Sequence, residues 1–528
     1  MKWQQQFFPT SALALALALA GCGGSSSDDG GNGNANGNGN GGTNGNGGAN
    51  GNSTPPPTAV SFSNATVHDP SIIKVDDTYY VFGSHMAAAR STDLMNWTRF
   101  AEGVNNSNPL FERVLDELDE LFAWTRGPSM WAADVTQLGD GRFYFYYNGS
   151  QGDRPRGALG LAVSDDIEGP YEDQGIFLWS GMETGAENAE YHPTGGNFNS
   201  FTEPHAIDPH VFYDKDGELW MVYGSYSGGI FVLDMDEETG LPVPGQGYGT
   251  HVWGGNHARI EGPYMHYSPE TDYYYLLMTY GGLDSTGGYE QRVARSRNPD
   301  GPFVDGSGTD MSDVKGPGGS CILDCADEHI TPHGQKLMGG FRFDRRSGEP
   351  GFGNGVGYVS PGHNSAFYEA ETEQHFLFFH TRFPGLGEQH QIRVHEMFIN
   401  EDDWLVVSPH RYVPHSEAEG ELSWEVSEQQ AVGEYMFIEH SLPLLRGFRN
   451  SDRIALEADG SITGELTGEW EYRGDNRITI TLDGDSEPYH GVLSHQYSEV
   501  LRQFTVTFTA MSSEGPSIWG SRFPDPAE

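Results

Sequence analysis

One unit recurs five times along this chain, and that repeat limits the fold more than any other feature. The first copy runs Asp69-Pro70-Ser71-Ile72-Ile73, turns at Asp76-Asp77, and returns as Tyr79-Tyr80-Val81-Phe82-Gly83-Ser84. The second runs from Trp131-Ala132-Ala133-Asp134-Val135 to Phe143-Tyr144-Phe145-Tyr146-Tyr147, and the third from Ile207-Asp208-Pro209-His210 to Leu219-Trp220-Met221-Val222-Tyr223-Gly224-Ser225. The fourth and fifth open at Glu261-Gly262-Pro263-Tyr264 and His363-Asn364-Ser365-Ala366-Phe367. Each copy is an apolar run, a turn signal and a second β-branched or aromatic run, which is a hairpin. A third strand follows, as in Ala88-Ala89-Arg90-Ser91, Leu161-Ala162-Val163-Ser164 and Val293-Ala294-Arg295-Ser296. Small sheets repeated five times predict blades around a channel, an all-β five-bladed β-propeller over residues 59–420. A β-sandwich would not begin every unit with the same motif.

From about Ala431 the pattern changes to two-residue alternation, with Ile454 and Leu456, then Ile478 to Leu482, then Phe504 to Phe508. Residues 430–528 therefore read as a separate small antiparallel β-barrel or sandwich. It holds no cluster of acids, so packing or an accessory role is expected of it, with polysaccharide binding left open.

The other end reads as a targeting device over residues 1–22. Lys2 precedes the apolar run Ala12 to Ala20, which is too short to cross a bilayer as a helix, and Leu19-Ala20-Gly21-Cys22 resembles a bacterial lipobox. The alternative is an ordinary signal peptide with an incidental cysteine. Gly23, where aspartate would favour inner-membrane retention, points to the outer membrane or cell surface. Residues 23–58 are nearly all Gly, Asn, Ser and Pro, a flexible tether of about 30 Å r.m.s. reach. The formal net charge of -46 repels nucleic acid and acidic membrane surfaces, so contact with a membrane is expected only through lipid on Cys22, and the protein is expected to be a monomer. An oxidising compartment permits a disulfide between Cys321 and Cys325, and a zinc site would need more soft ligands than stand nearby.

In a propeller the innermost strand of each blade points one end at the channel mouth. The opening positions here are Asp69, Ala132, Asp208, Glu261 and His363, so three acids and an imidazole converge. Asp-Pro alone is ordinary turn chemistry. Converging carboxyl groups, however, push one another's proton affinities apart, and glycosidic hydrolysis needs one acid and one base.

These residues carry a resemblance to glycoside hydrolase family 43, in its endo-α-1,5-L-arabinanase branch. The motifs are Val67-His68-Asp69-Pro70-Ser71, Ala206-Ile207-Asp208-Pro209 with Tyr223-Gly224-Ser225, Arg259-Ile260-Glu261-Gly262-Pro263-Tyr264, Ser360-Pro361-Gly362-His363-Asn364-Ser365 and Phe379-His380-Thr381-Arg382-Phe383. The C-terminal region, with its closing Ile518-Trp519-Gly520-Ser521, resembles the domain that accompanies some of these enzymes. The resemblance implies inverting cleavage of arabinan, with Asp69 as general base, Glu261 as general acid and Asp208 tuning that acid. It also implies a calcium ion in the channel, held by His363 and largely by waters. Trp131 resembles the family's sugar-stacking tryptophan, and His68 and Ser225 flank the acids as substrate contacts. The sequence departs from the family at Ala133, where proline is usual, and at His205, where asparagine is expected. Two rivals remain: an exo-acting arabinofuranosidase or xylosidase on the same fold, and a non-catalytic sugar-binding propeller, which should lack at least one of the acids.

Overall fold

The computed structural model describes residues 60–152, 154–322, 325–415 and 424–525. The lipobox with Cys22 and the linker over 23–58 lie outside the described residues.

Five sheets, antiparallel except where Phe341–Asp344 pairs in parallel with Arg449–Asn450 in the fifth, radiate from innermost strands at Ser71–Val75, Asp134–Gln137, His210–Tyr213, Ile260–Ser268 and Gly355–Glu369. Each of the five sequence repeats is one blade, as expected. The hairpin of blade one pairs Ser71 with Phe82 and Val75 with Thr78, so the Asp76-Asp77 dipeptide forms the turn. In blades two and four the second strands are buried on both faces: all eight residues of Phe143–Ser150 are buried, and seven of the eight in Tyr273–Tyr280. Continuous aromatic and aliphatic runs, rather than alternation, follow from that two-sided burial.

Ring closure falls between blades one and five. Ser365 donates its hydroxyl to the Pro70 carbonyl at 2.6 Å, joining the two innermost strands. Outside them, the Ile392 N–H bonds the Ala65 carbonyl, and Arg393 and Arg411 both donate to Asn64 Oδ1. Lower in the channel, Asp134 ties three blades together. It accepts from the Ser71 hydroxyl of blade one and, at 2.8 Å, from the Val211 N–H of blade three.

The C-terminal strands close into a barrel of eight, since Gly433–His440 pairs with Asp452–Leu456 on one side and Ser517–Arg522 on the other. Barrel, not sandwich, is therefore the outcome. It is also less separate than the sequence suggests. Residues Thr58–Glu528 form one compact unit, and a single apolar core runs from Val81, Leu377 and Phe379 of the propeller to Met436, Val492 and Trp519 of the barrel. Short helices at Asp119–Thr125 and Gly185–Tyr191, the second with a Thr184/Glu187 capping box, decorate blade two. The cysteine pair is bridged, Cys321 to Cys325. Among the described residues no helix is long and apolar enough to cross a membrane.

Trp519 is fully buried between Phe341 of the propeller and His440 of the barrel, with ring centroids 5.1 and 4.4 Å away. Trp519→Ala is expected to cost about 3–5 kcal/mol and to lower the denaturant midpoint of both parts together in one transition. Separate transitions for propeller and barrel would contradict the shared core.

Candidate active site

The channel mouth is built by a repeated backbone kink. Asp69, Asp208 and His363 all take left-handed φ, at 56°, 54° and 49°. In blade four the kink falls one residue later, on Gly262 at 61°, where a strand irregularity lies between Glu261 and Tyr264. Left-handed backbone costs a side chain about 1–2 kcal/mol, less for Asp, and such cost gathers where a side chain must be aimed off the pleat. Gly83 shows how tightly blade one is folded here, for a Cβ on it would stand 2.0 Å from the His68 carbonyl oxygen.

Asp69 is buried. Its Oδ2 accepts from the Ser84 hydroxyl, while Oδ1 lies 2.7 Å from His68 Nδ1, 3.0 Å from His363 Nδ1 and 3.6 Å from His380 Nδ1. Oδ1 accepts no aligned hydrogen bond, so the pull of His363 and His68 on it is mainly one of charge. Burial alone would raise this carboxyl, yet His363 and then His68 outweigh it and hold Asp69 well below the usual carboxylate range. His380 stays neutral under burial, stacks on His68 with centroids 3.7 Å apart, and accepts the Asp69 N–H at 3.2 Å.

The other two acids behave oppositely. Burial pushes Asp208 up to about 7, against the pull of His363 and with the repulsion of Glu261 and Asp69 added. Its Oδ2 accepts the Gly262 N–H at 3.3 Å, which places it one residue from Glu261. Burial likewise raises Glu261, although Tyr289 and His363 favour its charged form. Tyr289 donates to Glu261 Oε1, and Ser225 donates to Oε2 at 3.0 Å. One mouth thus holds a carboxylate kept charged and two carboxyls whose protons burial makes harder to remove.

Compensating positive charge comes from His363, pushed up to about 9 because Asp69 and Asp208 outweigh its burial. Donors for a metal are nitrogen-rich: His68, Asp69 and His380 present atoms within 4.8 Å of one another. Calcium prefers six to eight oxygens. His363 Nδ1 is turned to Asp69, so a calcium ion held by His363 would need water oxygens for most of its shell and would add positive charge there.

Beside the acids opens a cleft of about 210 Å³, lined by Trp131, Ser225 and Glu261 among others. The sequence-derived candidates therefore fall into one place. Asp69, Asp208, Glu261, His68 and His363 gather at the mouth, and Ser225 reaches both mouth and cleft. Trp131 is half-buried on the cleft wall, its indole N–H bonded to Ser129 at 2.7 Å. His205 also lines the cleft, bonded to Ser150 at 2.9 Å and driven down to about 3 by burial, so a neutral ring stands there. Two partners escaped the sequence reading. Ser84 sits in the Gly-Ser pair that Gly224-Ser225 repeats, and that repetition was a usable signal. Tyr289 follows a Gly-Gly pair outside every repeat and carried none.

A propeller whose mouth holds buried acids of opposed proton affinity beside an aromatic-walled cleft defines an acid–base glycosidase. The chain belongs to glycosyl hydrolases family 43, whose family model matches residues 61–324, and a C-terminal lipocalin-like domain of that family matches residues 409–520. It is 49% identical over 462 residues to the extracellular endo-α-(1→5)-L-arabinanase 2 of Bacillus subtilis, covering 87% of this chain and 94% of that one. Among solved structures it resembles the family 43 glycoside hydrolase YxiA of Bacillus licheniformis, at 49% identity and a TM-score of 0.81 over 88% of this chain and 99% of that one. The endo-1,5-α-L-arabinanase of Thermotoga petrophila matches at 45% identity and a TM-score of 0.81, over 88% of this chain and all of that one.

Tyr289→Phe removes a hydrogen bond that favours ionised Glu261. The Glu261 titration should then move to higher pH, read from side-chain carboxyl carbon shifts. A fall would mean that the hydroxyl does not hold the acid as described.

Proposed function

We propose that the protein is an inverting endo-α-1,5-L-arabinanase. The observation that carries this reading is the split in proton affinity at the channel mouth, with Asp69 held charged and Glu261 and Asp208 held protonated. Cleavage of internal arabinofuranosyl bonds is taken from the Bacillus subtilis and Thermotoga petrophila relatives, both named endo-arabinanases.

Asp69 is the general base: its charge, fixed by His363 and His68, takes a proton from the attacking water. Glu261 is the general acid and gives its proton to the leaving glycosidic oxygen, with Tyr289 and Ser225 holding the carboxyl in place. Asp208, which accepts the Gly262 N–H, carries charge only above about 7, where it repels the carboxylate form of Glu261 and so keeps the acid loaded at the alkaline end. Trp131 offers an apolar ring face to one sugar, and Ser225 and His68 bound the space around the reacting unit. A calcium ion on His363 would add positive charge at the mouth and help hold the surrounding side chains. A relative named extracellular supports export, and Leu19-Ala20-Gly21-Cys22 supports a lipid anchor at the bacterial outer membrane.

Activity requires Asp69 charged and Glu261 protonated together. The rate should therefore be bell-shaped in pH, with its acid limb below the ordinary carboxylate range and its alkaline limb above it. Asp208 is charged only above about 7, so Asp208→Asn removes a like charge there, makes Glu261 easier to ionise at the alkaline end, and should shift the alkaline limb to lower pH. A limb that stays in place would exclude Asp208 as the tuning group.

Asp69→Asn and Glu261→Gln should each lose about 10²–10⁴-fold in kcat on linear arabinan with unchanged unfolding temperature. Only Glu261→Gln should recover on substrates whose leaving group needs no proton. Retention of anomeric configuration in the product, followed by NMR, would overturn the mechanism. Release of arabinose alone from chain ends would overturn endo action.

Cys22→Ser should move the protein from the membrane to the soluble fraction of the producing cell. A wild-type protein already soluble would end the anchor proposal. Chelation should lower activity more than it lowers the unfolding temperature, and His363→Ala should abolish that sensitivity. Equal activity with and without chelator would remove calcium from the scheme.

A further inference from the structure

Two aliphatic side chains on the cleft are left facing water. Leu283 is 39% exposed and Ile322 is 49% exposed, and both line the same cleft as Trp131 and Glu261. Scattered exposed aliphatics are normal on a protein surface. These two share a binding cleft with an aromatic ring and an acid, and no step of the mechanism above uses them.

Ile322 is unusual in how it is held. It lies inside the covalent ring closed by the Cys321–Cys325 disulfide, whose Cα atoms are 5.7 Å apart. Just beyond the ring, Asp327 accepts from Arg259 Nη1 at 2.9 Å, and its carbonyl accepts the N–H groups of Ile330 and Thr331. Arg259 is buried and stands two residues before Glu261. The ring is therefore braced against the segment that carries the acid. Leu283 belongs to the segment after Tyr280, whose Gly281 carbonyl accepts from the Tyr226 hydroxyl at 3.1 Å and whose Gly281 N–H bonds the Arg259 carbonyl. Both apolar side chains thus take their position from Arg259 and its neighbours.

We propose that Ile322 with Leu283 is a specificity element, making an apolar contact to one arabinosyl unit bound away from the bond being cut. A furanose ring offers C–H groups as well as hydroxyls, and covering them with aliphatic carbon releases water from both surfaces. The neighbouring Cys321–Cys325 disulfide restrains Ile322 before substrate arrives, so less ordering is lost on binding. Contact with a remote unit is made equally before and during bond cleavage, so it governs KM rather than kcat and favours chains long enough to reach it. The proposal rests on the arabinan-cleaving reading above.

The test is the ratio of kcat/KM on the longest to the shortest cleavable linear arabino-oligosaccharide, for wild type, Ile322→Ser, Ile322→Leu and the double variant Cys321→Ser/Cys325→Ser. Ile322→Ser should lower that ratio roughly three- to tenfold, through KM for the longer chains. Ile322→Leu should restore it, and the double cysteine variant should lower it in the same direction by less. Should the cysteine variant unfold, Ile322→Ser and Ile322→Leu still decide, because an exposed side chain carries no core. A wild-type ratio kept in all variants, with arabinan still cleaved, overturns the specificity role alone. A wild-type protein that cleaves no arabino-oligosaccharide overturns the functional reading beneath it.

Discussion

A carboxylate removed from water remains charged only when positive charge stands against it, and Asp69 meets that condition with imidazoles from its own blade and from blade five. An unpaired charge so buried costs several kcal/mol and would instead take up a proton. The Asp69–His363 contact therefore sets the electrostatics of the whole mouth. It fixes one acid as ionised, and that fixed charge in turn helps keep protons on Asp208 and Glu261. It also spans the seam of the ring, since Asp69 opens blade one and His363 blade five. The Ser365-to-Pro70 hydrogen bond crosses the same seam beside it. Ring closure and proton affinity are thus held by neighbouring atoms.

The barrel takes part in this arrangement through blade four. Glu290, Arg292 and Lys336 form a buried charge cluster in which one carboxylate faces two cations. Both cations also donate to carbonyls of the segment that follows the first barrel strand, Arg292 to Leu442 and Lys336 to Ser441 and Pro443, while Arg292 Nη1 donates to the Gly334 carbonyl. Removing either surface would strand buried charge. Glu290 directly follows Tyr289, the tyrosine that bonds Glu261, so the barrel's connecting segment lies against the strand that aims the acid's partner.

Much of this was legible in the sequence because a propeller repeats its chemistry. The hairpin register of blade one, the five opening positions and the change of pattern near Ala431 all appear as local patterns. What stayed hidden depends on contacts between distant segments. Barrel and sandwich share two-residue alternation, and only the pairing of Gly433–His440 with Ser517–Arg522 separates them. Tyr289 meets Glu261 because the connection between Tyr273–Tyr280 and Glu290–Ser296 brings it to the start of the innermost strand, and no periodicity marks that. His380 was visible as part of a motif, but its stacking on His68 follows from blade five closing onto blade one. The single core shared by propeller and barrel was invisible for the same reason: Trp519 reads as a strand residue whichever surface it covers.

The repeated left-handed turn at Asp69, Asp208 and His363 has a further consequence for how such a mouth can change. Three blades share one backbone socket, so the residue it presents can be exchanged without rebuilding the strand, provided the newcomer tolerates that backbone. Asparagine, glycine and aspartate do so with least strain. Blade two is different, for Ala132 has no such turn. An acid placed there would point elsewhere, and the fivefold frame offers interchangeable chemical seats on only some of its blades. Divergence within such a scaffold is thus channelled by backbone shape before it is chosen by chemistry.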